Sequence, residues 1–263
     1  MAAVEDEMWF YRALHAHIER ELVGVLTRRA MEENGAVKTD PGTGRRDERH
    51  VGIGKDGAQI LDAGCGTGGL IRRLEQRHPA WQWTGIDLEP VACAFAAGRC
   101  SAEIVQGSLL ALPFADASFD AVVCADVLYH LDDDHAAIRE IFRVLRPGGT
   151  VVINVPAHRW LWSYHDVTVH GRRRYERAGL RGALGNAGFN VERLTHWNTL
   201  PLPLVYLRRK LLPPPASGSD VRLYPPAVEA IFRAGSRVER WWLASVGALP
   251  CGSSILATAQ RPV

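Results

Sequence analysis

The chain has 263 residues and is 47% hydrophobic, which suits one large α/β domain or a domain with a cap and excludes disordered, collagen-like and fibrous classes. Its net charge is +2, from 31 basic and 29 acidic residues, so no global field draws it to nucleic acid or to a membrane surface. Five cysteines, odd in number and without paired spacing, argue against a disulfide framework or a zinc site and for a reducing, cytoplasmic compartment.

Residues 1–7 are acidic and lack an apolar stretch, so no signal peptide is expected. Residues 1–33 then show a helical apolar period, with Trp9, Phe10, Leu14, Ile18, Leu22 and Val25 on one side. Trp9, Phe10 and Tyr11 suit either a lid over a ligand or the ordinary anchor of an amphipathic helix. Residues 34–57 are rich in glycine and charge without periodicity, which predicts a mobile loop or linker. Residues 1–57 therefore read as a helical lid followed by a flexible loop.

The stretch Ile60-Leu-Asp-Ala-Gly-Cys-Gly-Thr-Gly-Gly-Leu70 is the most informative in the chain. An apolar strand ends in an acid and opens into a turn whose glycines tolerate positive φ and let a ligand approach the backbone. A helix from about Gly69 to Gln76 would aim its free N–H groups at the occupant. Gly64, Gly66 and Gly69 also satisfy the dinucleotide fingerprint. Asp62, however, would repel a pyrophosphate and attract a cation, and Gly68 makes the pattern G-x-G-x-G.

Four more motifs follow. Trp83-Thr-Gly-Ile-Asp87-Leu88 reads as a second strand ending in an acid, and Glu103-Ile-Val-Gln-Gly107-Ser108-Leu109 as a third strand with its loop. Leu112 to Asp120 leads into the apolar run Ala121-Val-Val-Cys-Ala-Asp126-Val127-Leu-Tyr129-His130, a buried strand and its functional end. Arg146-Pro-Gly-Gly149 is expected to close the next helix with a turn before a strand from Thr150 to Val155.

In this order and at this spacing, residues 58–156 resemble class I S-adenosylmethionine-dependent methyltransferases. The resemblance implies a Rossmann-like, doubly wound α/β fold with a seven-stranded, mostly parallel sheet, an antiparallel last strand and here a helical cap. It implies S-adenosylmethionine as cofactor. Residues matching the family's contacts are Asp62, Gly64, Cys65, Gly66 and Gly68 at the turn, Asp87 and Leu88 at the ribose, Gly107, Ser108 and Leu109 near the adenine, and Asp126 and Val127. Asp87 would hold both ribose hydroxyls; many members carry an acid where this chain has Ser108.

Residues 157–263 complete the sheet and supply the acceptor side. Helix 176–186 precedes a strand at 190–198, and another strand is expected at 253–260; by resemblance the two form an antiparallel edge. Between them lies an insertion, 200–249, with a helix from about Pro226 to Val246. The segment Trp160-Leu-Trp162-Ser-Tyr164-His165-Asp166, followed by His170 and Arg172-Arg-Arg174-Tyr175, is similar to a bacterial subgroup of small-molecule methyltransferases of the type 11 kind.

Methyl transfer needs alignment and, for a weakly acidic acceptor, removal of a proton, which histidine suits near neutral pH. His165 is favoured as base and His130 as lining. Trp9, Tyr11, Tyr129, Trp162, His170, Arg174 and Tyr175 are the candidate acceptor contacts. The arginine run fits an acidic acceptor or a solvated face. His165-x-x-x-x-His170 admits a metal, but no H-E-x-x-H accompanies it and none is expected.

No Asn/Asp-Pro-Pro-aromatic motif follows the fourth strand, so base methylation in nucleic acid is disfavoured. Trp241 to Gln260 is uncharged but broken by Pro250 and Gly252, so no integral membrane segment is expected. The expected partner is a small-molecule acceptor, with an aromatic compound or a secondary metabolite as the candidates; the oligomeric state stays open. Two alternatives remain: a membrane-associated enzyme with a lipid-linked acceptor, suggested by apolar 200–212 beside Arg208-Arg-Lys210, and a cofactor-binding protein without methyl transfer.

Overall fold

The computed structural model describes residues 2–35, 57–214 and 220–263. Most of the linker expected at 34–57 lies outside the described residues. A seven-stranded sheet is built from β1 (Gln59–Ala63), β2 (Gln82–Asp87), β3 (Glu103–Gln106), β4 (Phe119–Ala125), β5 (Leu145–Pro156), β6 (Asn190–Trp197) and β7 (Ser254–Gln260). Their order is β3-β2-β1-β4-β5-β7-β6. The chain leaves β1 toward one edge and returns through β4 toward the other, so the strand order reverses between β1 and β4, where open α/β sheets form their ligand crevice.

The central strands read as continuous apolar runs because helices cover both faces of the sheet. On one face Leu61, Val122, Val151 and Ile153 pack with α5 (Asp134–Val144) and α7 (Arg177–Asn186). On the other, Ile60, Val123 and Val152 pack with α2 (Trp9–Gly35) and α3 (Gly69–Glu75). Alternate residues of each strand thus serve opposite cores. Short helices α4 (Pro90–Ala97) and α6 (Tyr164–Thr168) flank the sheet. The insertion forms α8 (Leu202–Tyr206), which continues as a π-helical turn over Leu207–Leu211, and α9 (Pro226–Val246).

One expectation is corrected and two gain detail. The apolar period from Trp9 to Val25 lies on α2, and α1 (Ala2–Glu7) is a separate short helix that ends before Met8. Arg146 to Gly149 is not a turn ahead of a strand but the first part of β5, with Gly148 at φ 75° absorbing a register shift against β4. The final two strands pair antiparallel at one edge of the sheet, as expected. Only β7 reverses; it is inserted between β5 and β6 and is antiparallel to both, so β6 runs with the parallel strands and forms the edge.

Candidate active site

The glycine turn has the conformation its residues demand. Gly64, Gly66 and Gly68 have φ of 95°, 53° and 78°, and a Cβ on Gly64 would collide with the side chain of Val127. The turn is tied to β2, since Gly64 N and Cys65 N both donate to the Ile86 carbonyl. Gly66 N donates to Asp87 Oδ2 at 2.8 Å, and Glu89 N donates to Asp87 Oδ1 at 3.0 Å. Asp87 is thereby held with its carboxylate beside the turn, while Leu88 is exposed. Beyond β3, Gly107 N donates to the Asp87 carbonyl, Leu109 is buried, and the Ser108 hydroxyl caps Leu110 N.

The electrostatics favour a cation. Asp62 is buried at the end of β1, and burial, then the charges of Glu5 and Asp87, push its carboxyl up to about 8. None of the groups that shift it is a cation. Glu5 comes from α1: its carboxylate accepts the Thr67 hydroxyl and sits against Gly69, where a Cβ would strike it. Arg99 anchors α1 from below, bonding Asp6 at 2.6 and 2.7 Å and the Thr67 carbonyl at 3.0 Å. Three carboxylates therefore converge on one glycine turn. Such a donor set fits an ammonium or sulfonium and repels a phosphate.

A cavity of about 690 Å³ opens at the carboxyl ends of β4 and β5. Met8, Trp9, Phe10 and Tyr11 form one wall, and Leu204, Val205 and Leu207 another. Trp9 is fixed there by its backbone N–H, which donates to Glu229 at 2.8 Å, and by stacking on Phe232 at 4.8 Å. Asp126, Tyr129 and His130 close the sheet side. Asp126 has φ 56°, unusual for a residue other than glycine, and accepts from Asn154 Nδ2 at 2.8 Å. Burial raises its carboxyl to about 7 against the opposing pull of Asn154 and Arg174.

His165 and His130 are less basic than free imidazole. His165 lines the cavity, and burial, then Arg209, hold it well below its usual value. Its Nδ1 accepts the Asp220 N–H at 3.4 Å, which leaves the proton of the neutral ring on Nε2. His130 is lowered by burial, and its Nδ1 lies 3.3 Å from the His170 carbonyl oxygen.

Similarity to known proteins agrees with this geometry. Residues 61–153 match the family described as methyltransferase domain. The chain is 35% identical over 114 residues to a demethylmenaquinone methyltransferase of Thermus thermophilus, covering 41% of this chain and 52% of that one. It is 32% identical over 164 residues to a malonyl-[acyl-carrier protein] O-methyltransferase of Serratia marcescens, covering 61% and 55%. A solved geranyl diphosphate methyltransferase in complex with SAM superposes with a TM-score of 0.52 at 20% identity, covering 78% of this chain and 79% of that one; this likeness is one of fold. Over residues 61–153 the chain is thus similar to class I S-adenosylmethionine-dependent methyltransferases. It spans about half the length of the curated relatives it matches.

The turn residues Asp62 to Gly68 gather with Asp87, Val127 packs against Gly64, and its neighbour Asp126 lines the cavity. Of the acceptor candidates, Trp9, Tyr11, Tyr129 and Arg174 line the cavity with His130 and His165. Arg174 is committed inward: its guanidinium bonds Asp166 at 2.7 and 3.2 Å and the Ala157 carbonyl at 2.9 Å. Tyr175 is buried in the core with its hydroxyl on Asp134 at 2.5 Å, His170 is exposed, and Trp162 offers its carbonyl to Lys210; none of the three joins the cavity wall.

Two features escaped the sequence reading. Glu5 looked like part of a charged N-terminus, and nothing in its neighbours linked it to a turn 62 residues away. Asp126 was visible as a motif residue, but its raised carboxyl depends on burial contributed by distant segments.

Proposed function

We propose that this protein transfers a methyl group from S-adenosylmethionine to a small, mainly apolar acceptor. The observation that carries the reading is the pairing of an acidic glycine turn with an apolar-walled cavity: Val127 packs on Gly64 of the turn, and its neighbour Asp126 lines the cavity. Asp62, Glu5 and Asp87 are the residues suited to the cofactor, which when bound supplies an electrophilic methyl on a sulfonium.

The chain's own tasks are to exclude water, to align the acceptor and to receive its proton. The aromatic wall of Trp9, Phe10 and Tyr11 and the leucines of α8 shield the cavity. Asp126 is the group best suited to take the proton, since its carboxyl titrates near neutral pH and lines the cavity. His165, neutral with its proton on Nε2, suits donation to the acceptor; His130 borders the same site. Asp126 thus takes the role first assigned to His165.

The test is direct. The protein is incubated with isotopically labelled S-adenosylmethionine and a panel of apolar acceptors bearing a phenol, hydroxyl or amine, and the products are read by mass spectrometry. S-adenosylhomocysteine affinity is measured in parallel by calorimetry. Labelled product supports the reading. Tight cofactor binding with every acceptor seated and none methylated would replace it with cofactor binding without transfer.

A further inference from the structure

The helix α9 packs Phe232 and Leu243 inward but also carries an apolar stripe on its outward side. Its inward side carries Glu229 and Glu239, both buried. They are employed as caps: Glu229 accepts Trp9 N and Tyr224 N, and Glu239 accepts the N–H groups of Asn198, Thr199 and Leu200. Ile231, Ala234, Val238, Trp241, Trp242 and Ser245 recur at three- and four-residue spacing on the opposite side, and all six are exposed. Ile231 is 70%, Val238 58% and Trp241 67% accessible.

This stripe is not isolated. Leu200 Cδ1 lies 3.7 Å from the point where a Cβ on Gly235 would sit, so the apolar surface runs from α9 onto Leu200 and the exposed leucines of α8. Leu204, Leu207 and Leu212 belong both to that surface and to the cavity wall, so the mouth of the cavity lies within it. An apolar face of this extent with two exposed tryptophans is a contact surface.

Charge decides what it contacts. Residues 200–249 hold seven basic and three acidic side chains. Glu229 and Glu239 are buried, and Asp220 is folded inward onto Arg209 at 2.9 Å and Tyr164 at 2.8 Å. The exposed charges of the segment, Lys210, Arg222 and Arg237 among them, are positive. A two-fold self-association would set this same patch against itself and oppose like charges without a compensating acid. An anionic bilayer meets both features, since its interior takes the apolar stripe, its interface takes tryptophan, and its headgroups take arginine and lysine.

We infer that the α8–α9 face docks the protein on an anionic lipid bilayer, with the cavity mouth turned toward the lipid. The acceptor is then an apolar molecule dissolved in the bilayer, a step that rests on the proposed methyl transfer. No helix among the described residues is long and apolar enough to cross a membrane, so the contact is peripheral.

The test uses the full-length protein and vesicles of phosphatidylcholine with or without phosphatidylglycerol, scored by co-sedimentation. The wild type is expected to bind the anionic vesicles, more weakly as salt rises. Trp241→Ser/Trp242→Ser should lose binding by tenfold or more, and Arg237→Gln by about fivefold for one cation removed. S-adenosylhomocysteine affinity should stay unchanged in both variants, showing that they fold. Absence of wild-type binding to anionic vesicles, or equal binding by the tryptophan variant, overturns the inference. So does a wild-type dimer that the tryptophan substitutions convert to monomer without any vesicle binding, which would assign the face to a second copy. Vesicle binding requires neither cofactor nor acceptor, so its failure leaves the proposed methyl transfer standing.

Discussion

Cofactor binding should release a proton from Asp62. The apo carboxyl stands at about 8 because burial and two neighbouring carboxylates disfavour its charge. At pH 7 it is thus about nine tenths protonated. An ammonium seated beside it lowers the value by ~1–3 units, leaving between roughly half and almost none of the proton in place, so about 0.4–0.9 proton leaves per cofactor bound. S-adenosylhomocysteine is the better probe, because it keeps the ammonium but lacks the sulfonium that would also act on Asp126. Calorimetric titrations at pH 7 in buffers of different ionisation enthalpy give the proton count from the slope of apparent enthalpy. Asp62→Asn should bring it close to zero and weaken binding. Zero release by the wild type, or an undiminished release by the Asn variant, would refute the assignment of Asp62 as the group that meets the cation.

The remaining expectations concern other parts of the same machinery. Asp87→Ala should weaken S-adenosylhomocysteine tenfold or more, since a carboxylate accepting two hydroxyls makes bonds worth about 1.5–3 kcal/mol each; parent-like affinity would remove Asp87 from the ribose. Asp126→Asn should lower single-turnover rate roughly 10²–10⁴-fold and abolish a rise in rate with pH centred near 7, whereas an unchanged pH profile would return the base to a histidine. Asp62 and Asp126 are both raised on folding, so the stability they contribute is complete below the unfolded carboxylate value and is lost as pH climbs through about 7 to 8. The apo melting temperature of the wild type, relative to Asp62→Asn, should therefore fall over that window; a rise would contradict the sign. Arg174→Met leaves Asp166 buried without its partner and should cost about 3–5 kcal/mol, or roughly 6–20 °C of melting temperature; a neutral result would mean that Arg174 faces the acceptor after all.

The cofactor half of this protein was legible in its sequence because its signals are local. Glycines that must adopt positive φ at 64, 66 and 68, and acids placed at the ends of apolar strands at 62 and 87, are dictated by backbone stereochemistry within a few residues. The alternation of strand and helix then implied the parallel sheet. The acceptor half depended on packing between segments far apart in the chain. Periodicity predicted one apolar side over Trp9 to Val25, and a helix was expected over Pro226 to Val246, yet nothing indicated that Glu229 and Glu239 would turn inward to cap loops and leave the tryptophans outside. The arginine run gave no sign that Arg174 would bond to Asp166 while Arg172 and Arg173 bonded to Asp132 and Asp134. Glu5 reached the glycine turn only because the chain breaks at Met8 and Arg99 holds α1 down. Local stereochemistry decides a turn in isolation, whereas the direction of a charged side chain depends on which buried N–H groups the rest of the fold leaves unpaired.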